Sequence, residues 1–199
     1  MIDKGKLIVI SGPSGAGKST VVFKAVADRS DICFSTSVTT RNPRPGEIDG
    51  REYFFIDRER FDRMVEQGEL LEHAEYVSNC YGTPRAYVEQ QMDKGLNVLL
   101  DIEVQGARQV HEQMPEAVFI FVTPPSMDEL RSRLEKRGTD SPEVIASRLE
   151  RARQEYREAD FYDYILVNDD ADRAARELNA IITAEGCRYK DRKRFLCQE

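Results

Sequence analysis

Short apolar runs that end at Gly, Asp or Pro alternate along this chain with longer segments in which apolar residues recur every three or four positions. Runs of four to six apolar residues without polar alternation suit strands buried on both faces, and the longer periodicity suits helices that cover such a sheet. Lys6–Ser11, Asn97–Asp101, Val118–Val122 and Tyr164–Val167 are accordingly predicted as buried strands. Helices are predicted over Lys18–Asp28, Val104–Gln113, Ser126–Arg137, Pro142–Ala159 and Asp170–Glu185, several of them introduced by a Ser or Asp whose side chain caps free N–H groups. This alternation implies an α/β fold with a parallel core sheet flanked by helices and with ligands beyond the carboxyl ends of the strands.

From about Ser35 to Gln91 the pattern changes to short, turn-rich, aromatic segments, among them Tyr53-Phe-Phe-Ile56 and Glu72-His-Ala-Glu-Tyr-Val77, with a helix predicted over Arg58–Gln67 between them. The stretch reads as an inserted, mixed β/α subdomain. Gly138-Thr-Asp-Ser141 joins two arginine-bearing helices and reads as the hinge of a short lid. No internal repeat and no low-complexity segment interrupts the chain.

Composition narrows the function. A chain of 199 residues can bury a proper core and most simply forms one domain with insertions. A net charge of −7 disfavours a general nucleic-acid binder and leaves a small substrate as the expectation. No segment pairs a basic region with a long apolar stretch, and Val118–Val122 is too short to span a bilayer, so a cytoplasmic protein without a membrane partner is expected. Cys33, Cys80, Cys187 and Cys197 form no CxxC pair and are expected as reduced thiols. His73 and His111 stand without a nucleophile nearby in sequence, so zinc chemistry and Ser-His hydrolysis drop out.

The strongest chemical signal is Gly12-Pro13-Ser14-Gly15-Ala16-Gly17-Lys18-Ser19, which follows the strand pattern Leu7–Ile10 and opens, through Thr20, into a predicted helix. Glycines let the backbone fold tightly enough for successive N–H groups and a helix N-terminus to face one anion. Lys18 adds a charge toward the β- and γ-phosphates of a nucleoside triphosphate, and the Ser19 hydroxyl is placed for Mg2+. Gly12 through Thr20 are thus the predicted ATP-binding residues.

A second anion site is written in Thr39-Thr-Arg41-Asn-Pro-Arg44-Pro-Gly-Glu-Ile-Asp-Gly50-Arg-Glu-Tyr53, where two arginines three apart sit in a proline-stiffened loop. Two guanidinium forks held this way suit a phosphate monoester, and Tyr53 and Tyr81 can donate phenolic hydrogens to the same group. From composition alone, a solvated turn with core tyrosines is the favoured reading; coupled to the phosphate loop upstream, the balance reverses.

Together with Glu72, Tyr81-Gly-Thr83, Leu100-Asp-Ile-Glu103, Arg137-Gly-Thr139 and Val167-Asn-Asp-Asp170, these segments resemble guanylate kinase in order from Lys6 to Glu185. The resemblance implies the P-loop nucleoside monophosphate kinase fold and ATP:GMP phosphotransfer assisted by Mg2+, within purine nucleotide metabolism. It also implies a domain over 4–186, with a core of 4–34, 94–137 and 160–186, a GMP-binding insertion over 35–93 and a lid region over 138–159, followed by a basic tail over 187–199. Ser37, Arg41, Arg44, Tyr53, Glu72, Tyr81 and Thr83 fall on GMP-binding positions, as does Glu103, where the family frequently has aspartate. Cys80 stands where an aromatic residue is expected in many relatives.

The chemistry of guanine agrees. Its N1–H and exocyclic amino group lie side by side, so one carboxylate such as Glu72 accepts both, whereas adenine presents a lone pair at N1. Near neutral pH the phosphate of GMP is largely dianionic and attacks without a general base, which leaves positioning and charge neutralisation to the protein. Lys18, Arg133, Arg137 and Arg148 are the expected carriers; Arg133 and Arg137 are four apart and share a helix face. Asp101 is expected to orient a Mg2+-bound water, and Asn168 to approach adenine. Deoxy-GMP acceptance and a homo-oligomer stay open. So do two other readings: a kinase for another nucleotide or small molecule, and a noncatalytic guanylate-kinase-like interaction module.

Overall fold

The computed structural model describes residues 3–138 and 140–196, which leaves Thr139 and Cys197 of the sequence reading outside the described residues. In chain order the strands and helices begin with β1 (Leu7–Ser11), α1 (Lys18–Val26), β2 (Ile32–Phe34), β3 (Val38–Thr39), β4 (Phe54–Phe55), α2 (Arg58–Glu66), β5 (Leu70–Tyr76) and β6 (Asn79–Pro84). They continue with α3 (Arg85–Asp93), β7 (Asn97–Asp101), α4 (Val104–Gln113), β8 (Val118–Thr123), α5 (Met127–Lys136), α6 (Pro142–Arg157), β9 (Tyr164–Val167), α7 (Ala171–Glu185) and α8 (Tyr189–Arg192). The chain divides into two compact units. One holds the chain up to Leu7 with Asp31–Ala117, and the other holds Ile8–Ser30 with the chain from Val118 onward.

In the second unit β1, β8 and β9 form a parallel ladder, with Ile8 opposite Val118 and Ile120 opposite Tyr164. Every residue of β1 is buried, which explains its unbroken apolar run. Helix α1 lies against α7, where Asn179 Nδ2 donates to the Ala25 carbonyl at 3.0 Å. Helices α5 and α6 share a core of Leu130, Leu134, Ile145, Leu149 and Ala152. Burying each large side chain of this kind stabilises the fold by roughly 1.5–3 kcal/mol. Ser126 caps α5 through the Glu129 N–H and Ser141 caps α6 through the Val144 N–H, as the sequence predicts for capping serines.

In the first unit β2 and β7 pair in parallel, and on its other side β7 receives the Lys6 carbonyl at the Val98 N–H, 2.8 Å. A second sheet of order β4-β3-β6-β5 is mixed: β3 runs parallel to β4 but antiparallel to β6, and β5 is antiparallel to β6. One face of that sheet packs Val38, Leu70 and Cys80 against Phe61 of α2. The free edge of β5 is closed by α4: Gln109 exchanges hydrogen bonds with both backbone groups of His73 (2.9 and 3.1 Å), and Gln113 donates to the Leu70 and Leu71 carbonyls. Side-chain amides thus satisfy an edge that backbone would otherwise leave open.

Six predicted helices and four predicted strands are present, with ends shifted by a residue or two. Helix α1 ends at Val26 rather than Asp28, and α6 ends at Arg157, followed by a 3-10 turn over Ala159–Phe161. Elements not predicted individually include β2, β3, β6, α3 and α8. Strand β2 has only three residues and none is buried, so no burial pattern marks it; helix α3 anchors itself through Val88 and Met92 alone, too few apolar positions to stand out. Among the described residues no helix is long and apolar enough to cross a membrane, and Cys33, Cys80 and Cys187 are free thiols.

Candidate active site

The phosphate loop joins β1 to α1 wholly within the second unit. Gly12 has φ 143°, and a Cβ there would lie 2.0 Å from the Val122 carbonyl oxygen of β8, so only glycine fits. Gly17, the residue before α1, has φ 84°, and its Cβ would meet Asn168 Nδ2 at 2.4 Å. That contact is close because Asn168, itself buried, donates its amide to the Ala16 carbonyl at 2.8 Å. Arg133 Nη1 donates to the same oxygen at 3.3 Å, Nη2 donates to the Asn168 carbonyl at 2.8 Å, and Nε is paired with Glu129. In a trans peptide the C=O and the next N–H point opposite ways, so two donors holding the Ala16 carbonyl aim the Gly17 N–H to the other side of the loop.

Asn168 and Arg133, expected toward adenine and the transferring phosphoryl group, therefore have these nitrogens engaged by the loop itself. Lys18 Nζ donates to the Gly12 carbonyl at 2.7 Å, so the cation rests on its own loop. Arg148 Nη1 donates to Ser14 Oγ at 2.8 Å, and its Nε pairs with Asp140 at 3.3 Å. Arg137, at the C-terminus of α5, donates its backbone N–H to the Glu135 carbonyl, and its exposed side chain makes no hydrogen bond among the described residues. Ser19 and Thr20 are exposed in the first turn of α1, while Pro13 is buried beneath the loop.

The first unit carries the other predicted residues. Register shifts between Leu70 and His73: Leu70 lies opposite Pro84 and His73 opposite Gly82, so two residues of β5 face one of β6. This bulge buries Leu71 and Glu72 in succession and turns Glu72 inward, 8% exposed. Thr83 Oγ1 donates to Glu72 Oε1 at 2.6 Å. Burial is the larger influence and pushes the Glu72 carboxyl above its ordinary range, which the Thr83 hydrogen bond partly offsets. Oε2 accepts no hydrogen bond from the described residues. A Cβ on Gly106, in the first turn of α4, would lie 3.0 Å from Oε2.

Gly106→Ala is therefore expected to leave a folded protein, because alanine suits a helix interior better than glycine by about 0.5–1 kcal/mol, yet to displace the Glu72 carboxylate by a few tenths of an ångström. The KM for GMP should rise roughly three- to tenfold at unchanged KM for ATP. Steady-state kinetics with each nucleotide varied checks it.

The arginine loop leaves β3, where Thr39 Oγ1 donates to the Cys80 carbonyl and accepts from the Arg41 N–H at 3.2 Å. Arg41 lies over the Tyr53 and Phe55 rings, 5.3 and 5.6 Å from their centroids, and Tyr53 meets the Tyr81 ring edge-on. Its guanidinium is paired with Glu47, and the Arg44 N–H donates to the same carboxylate. The Arg44 side chain is exposed and makes no hydrogen bond among the described residues. Ser37 precedes β3 and is half-buried; Asp101 ends β7 and Glu103 precedes α4, both exposed. Glu47, Gly106 and Asp140 carried no predicted role. Glu47 and Asp140 lie within or beside quoted motifs, but only their contacts reveal what they hold.

The comparisons with known proteins fall on this arrangement. A family model described as guanylate kinase matches residues 4–185. The guanylate kinase of Lactococcus lactis is 54% identical over 185 residues, covering 93% of this chain and 90% of that protein. That of Streptococcus pneumoniae is 53% identical over 188 residues, covering 93% and 89%. In three dimensions the crystal structure of guanylate kinase from Anaplasma phagocytophilum matches with a TM-score of 0.70 at 39% identity, covering 95% of this chain and 90% of that one. Residues 4–185 take in the phosphate loop, the arginine loop and the bulged strand of Glu72, and with these identities the match has one reading: the chain belongs to the guanylate kinase family.

Proposed function

We propose that this chain transfers the γ-phosphoryl group of ATP to the phosphate of GMP, giving ADP and GDP. A GMP phosphate oxygen attacks the γ-phosphorus in line, the bond to the β,γ-bridging oxygen breaks, and ADP leaves with the electron pair. The observation that carries the reading is Glu72: a buried carboxylate with one oxygen held by Thr83 and the other left for a ligand, on a chain with an intact phosphate loop. Guanine supplies the two adjacent N–H donors that such a group lacks. Because Thr83 spends its hydrogen on Glu72, its oxygen keeps only acceptor capacity and suits the guanine amino edge; Ser37 is left to donate toward O6. Arg41, Arg44, Tyr53 and Tyr81 take the GMP phosphate, and Glu103 reaches the GMP edge.

On the ATP side, Gly12 to Thr20 cradle the phosphates and Lys18 leaves the Gly12 carbonyl for them. Arg137 and Arg148 neutralise charge on the transferring group, with Arg133 and Asn168 holding the loop that aims its N–H groups. The exposed Ser19 hydroxyl is a hard oxygen donor of the kind Mg2+ accepts while keeping most of its water. When bound, the ion screens the phosphate oxygens; Asp101 is assigned to one of its waters. The insertion over 35–93 and the lid over 138–159 are the expected moving parts, and the cytoplasm the expected site of action. The test is ADP formation from Mg-ATP with GMP, AMP, CMP and UMP in parallel. GMP should be preferred by at least about 10²-fold; equal turnover of all four, or none, would sink the reading.

A further inference from the structure

In the first unit β3, β4, α2 and the start of α3 meet around a cavity of about 320 Å³. Val38, Phe54, Ile56 and Met64 give it an apolar wall, continuous with the cluster that packs on Phe61 of α2, and Pro84 and Tyr87 complete the lining. Consecutive strand residues point to opposite faces. The Phe54 ring accordingly meets the Tyr87 ring edge-on at 5.4 Å, whereas the Phe55 ring, although Phe55 also borders the cavity, lies under Arg41. The arginine loop is thus across β4 from the Phe54 ring. Two charged side chains reach the cavity, Arg60 of α2 and Asp49 of the loop before β4. Spacing on α2 decides which of its arginines is free. Arg58 has Asp62 four residues on and pairs with it at 2.9 Å, and Arg63 pairs with Glu59 four residues back. Arg60 has Ile56 and Met64 at those spacings, and Asp57 spends an oxygen on the Arg60 backbone N–H at 2.7 Å. The Arg60 guanidinium makes no hydrogen bond or ion pair among the described residues. Asp49 Oδ1 accepts the Phe55 N–H at 2.8 Å, and its Oδ2 accepts none among the described residues.

We propose that this cavity is a binding site, separate from the nucleotide sites, for a small flat aromatic anion that carries an N–H donor away from its anionic group, as an indole carboxylate does. Phe54, Met64 and Tyr87 hold the ring body, the Arg60 fork takes the anionic group, and Asp49 accepts the donor. An apolar cavity of about 150 Å³ takes benzene, so one of this size takes two fused rings. A guanidinium that no carboxylate neutralises, set beside aromatic walls, favours an anion over a neutral or cationic ring. Asp49 and Arg60 form no ion pair with each other. A fitting ligand therefore separates its two polar ends by the ring instead of carrying both on one carbon.

The test is a titration of the isotope-labelled full chain with indoleacetate, followed by amide NMR shifts, with tryptamine as the companion probe that presents a cation in place of the carboxylate. Saturable shifts at Phe54, Ile56, Met64 and Tyr87 are expected, with a Kd below about 1 mM. Saturating GMP should change that Kd by less than about threefold, because the arginine loop lies across β4. Arg60→Gln should weaken indoleacetate about fivefold and Arg60→Lys less, since lysine keeps the charge without the fork. Tryptamine should bind wild type at least about fivefold more weakly than indoleacetate and lose that disadvantage in Arg60→Gln. Absence of saturable shifts at these residues overturns the proposal. Equal binding of the two probes overturns it too, since the cavity then reads no charge, and displacement by GMP puts the probe in the nucleotide site instead. Shifts at the same residues on raising the protein concentration without probe would make the cavity an interface between copies, and also overturn it. Arg60 is exposed and its variants should fold; should Arg60→Gln not, the two probes on wild type decide between the same outcomes.

Discussion

Replacing Lys18 by alanine is expected to lower kcat with ATP and GMP by about 10²–10³-fold, roughly 2.7–4 kcal/mol of transition-state stabilisation, the scale seen when one preorganised donor is removed from a site of developing charge. The structure explains why the loss should fall on chemistry and not on folding. Lys18 Nζ makes one hydrogen bond, to the Gly12 carbonyl, and the loop shape is held independently by the Asn168 and Arg133 bonds to the Ala16 carbonyl. One such bond contributes about 0.5–1.5 kcal/mol, so the variant should melt close to wild type. Measuring kcat, KM and the melting temperature together checks the claim. A Lys18→Ala variant that keeps wild-type kcat would remove the phosphate loop from the mechanism.

Glu72→Gln should have the opposite signature, an effect on selectivity with no cost in stability. Glutamine keeps an oxygen for the Thr83 hydroxyl but turns an amide toward the two N–H donors of guanine. Two charge-assisted hydrogen bonds at about 1.5–3 kcal/mol each are lost, and kcat/KM for GMP should fall roughly 10²- to 10⁴-fold while AMP changes far less. Burial raises the carboxyl above its unfolded value, so the folded state favours the protonated form. That contribution is fully present below the unfolded pKa and is lost as pH rises through the folded one; near neutral pH the ionised group costs stability. A neutral glutamine side chain carries no such cost, and the nucleotide-free variant should melt at or above wild type at pH 7, the advantage shrinking on acidification. A Glu72→Gln variant that melts lower while keeping its preference for GMP would assign this carboxylate to structure instead.

The two halves of the site were legible to different degrees. The phosphate loop is contiguous: its glycines, its lysine and its flanking strand and helix all sit within about twenty residues, and local chemistry alone requires them. The proposed guanine pocket draws on β5, β6 and α4, and nothing in their local pattern says that Glu72 faces inward. Alternation along Leu70–Tyr76 breaks at the bulge, where Leu71 and Glu72 are both buried. Resemblance to a family could point to Glu72, but period-two reasoning could not. Strand β2 and helix α3 escaped prediction for a related reason, since each is stabilised by neighbours more than by its own residues. Arg133 and Asn168 show the same limit from the other side: both were recognised as site residues, yet the geometry engages them with the Ala16 carbonyl.

By itself the amino-acid sequence determined the class of fold, through apolar runs that only a buried parallel sheet accommodates, and the chemistry of the phosphate loop, through residues whose backbone freedom and charge act on their immediate neighbours. Tertiary structure decided which carboxylate of β5 is buried, which nitrogens of Arg133 and Asn168 are engaged by the loop, and which glycine lies close against Glu72. The physical reason is range. Backbone conformation and helix capping are settled within a few residues, whereas desolvation, hydrogen-bond pairing and close approach belong to groups that meet only after residues such as Glu72, Thr83 and Gly106 have been brought together.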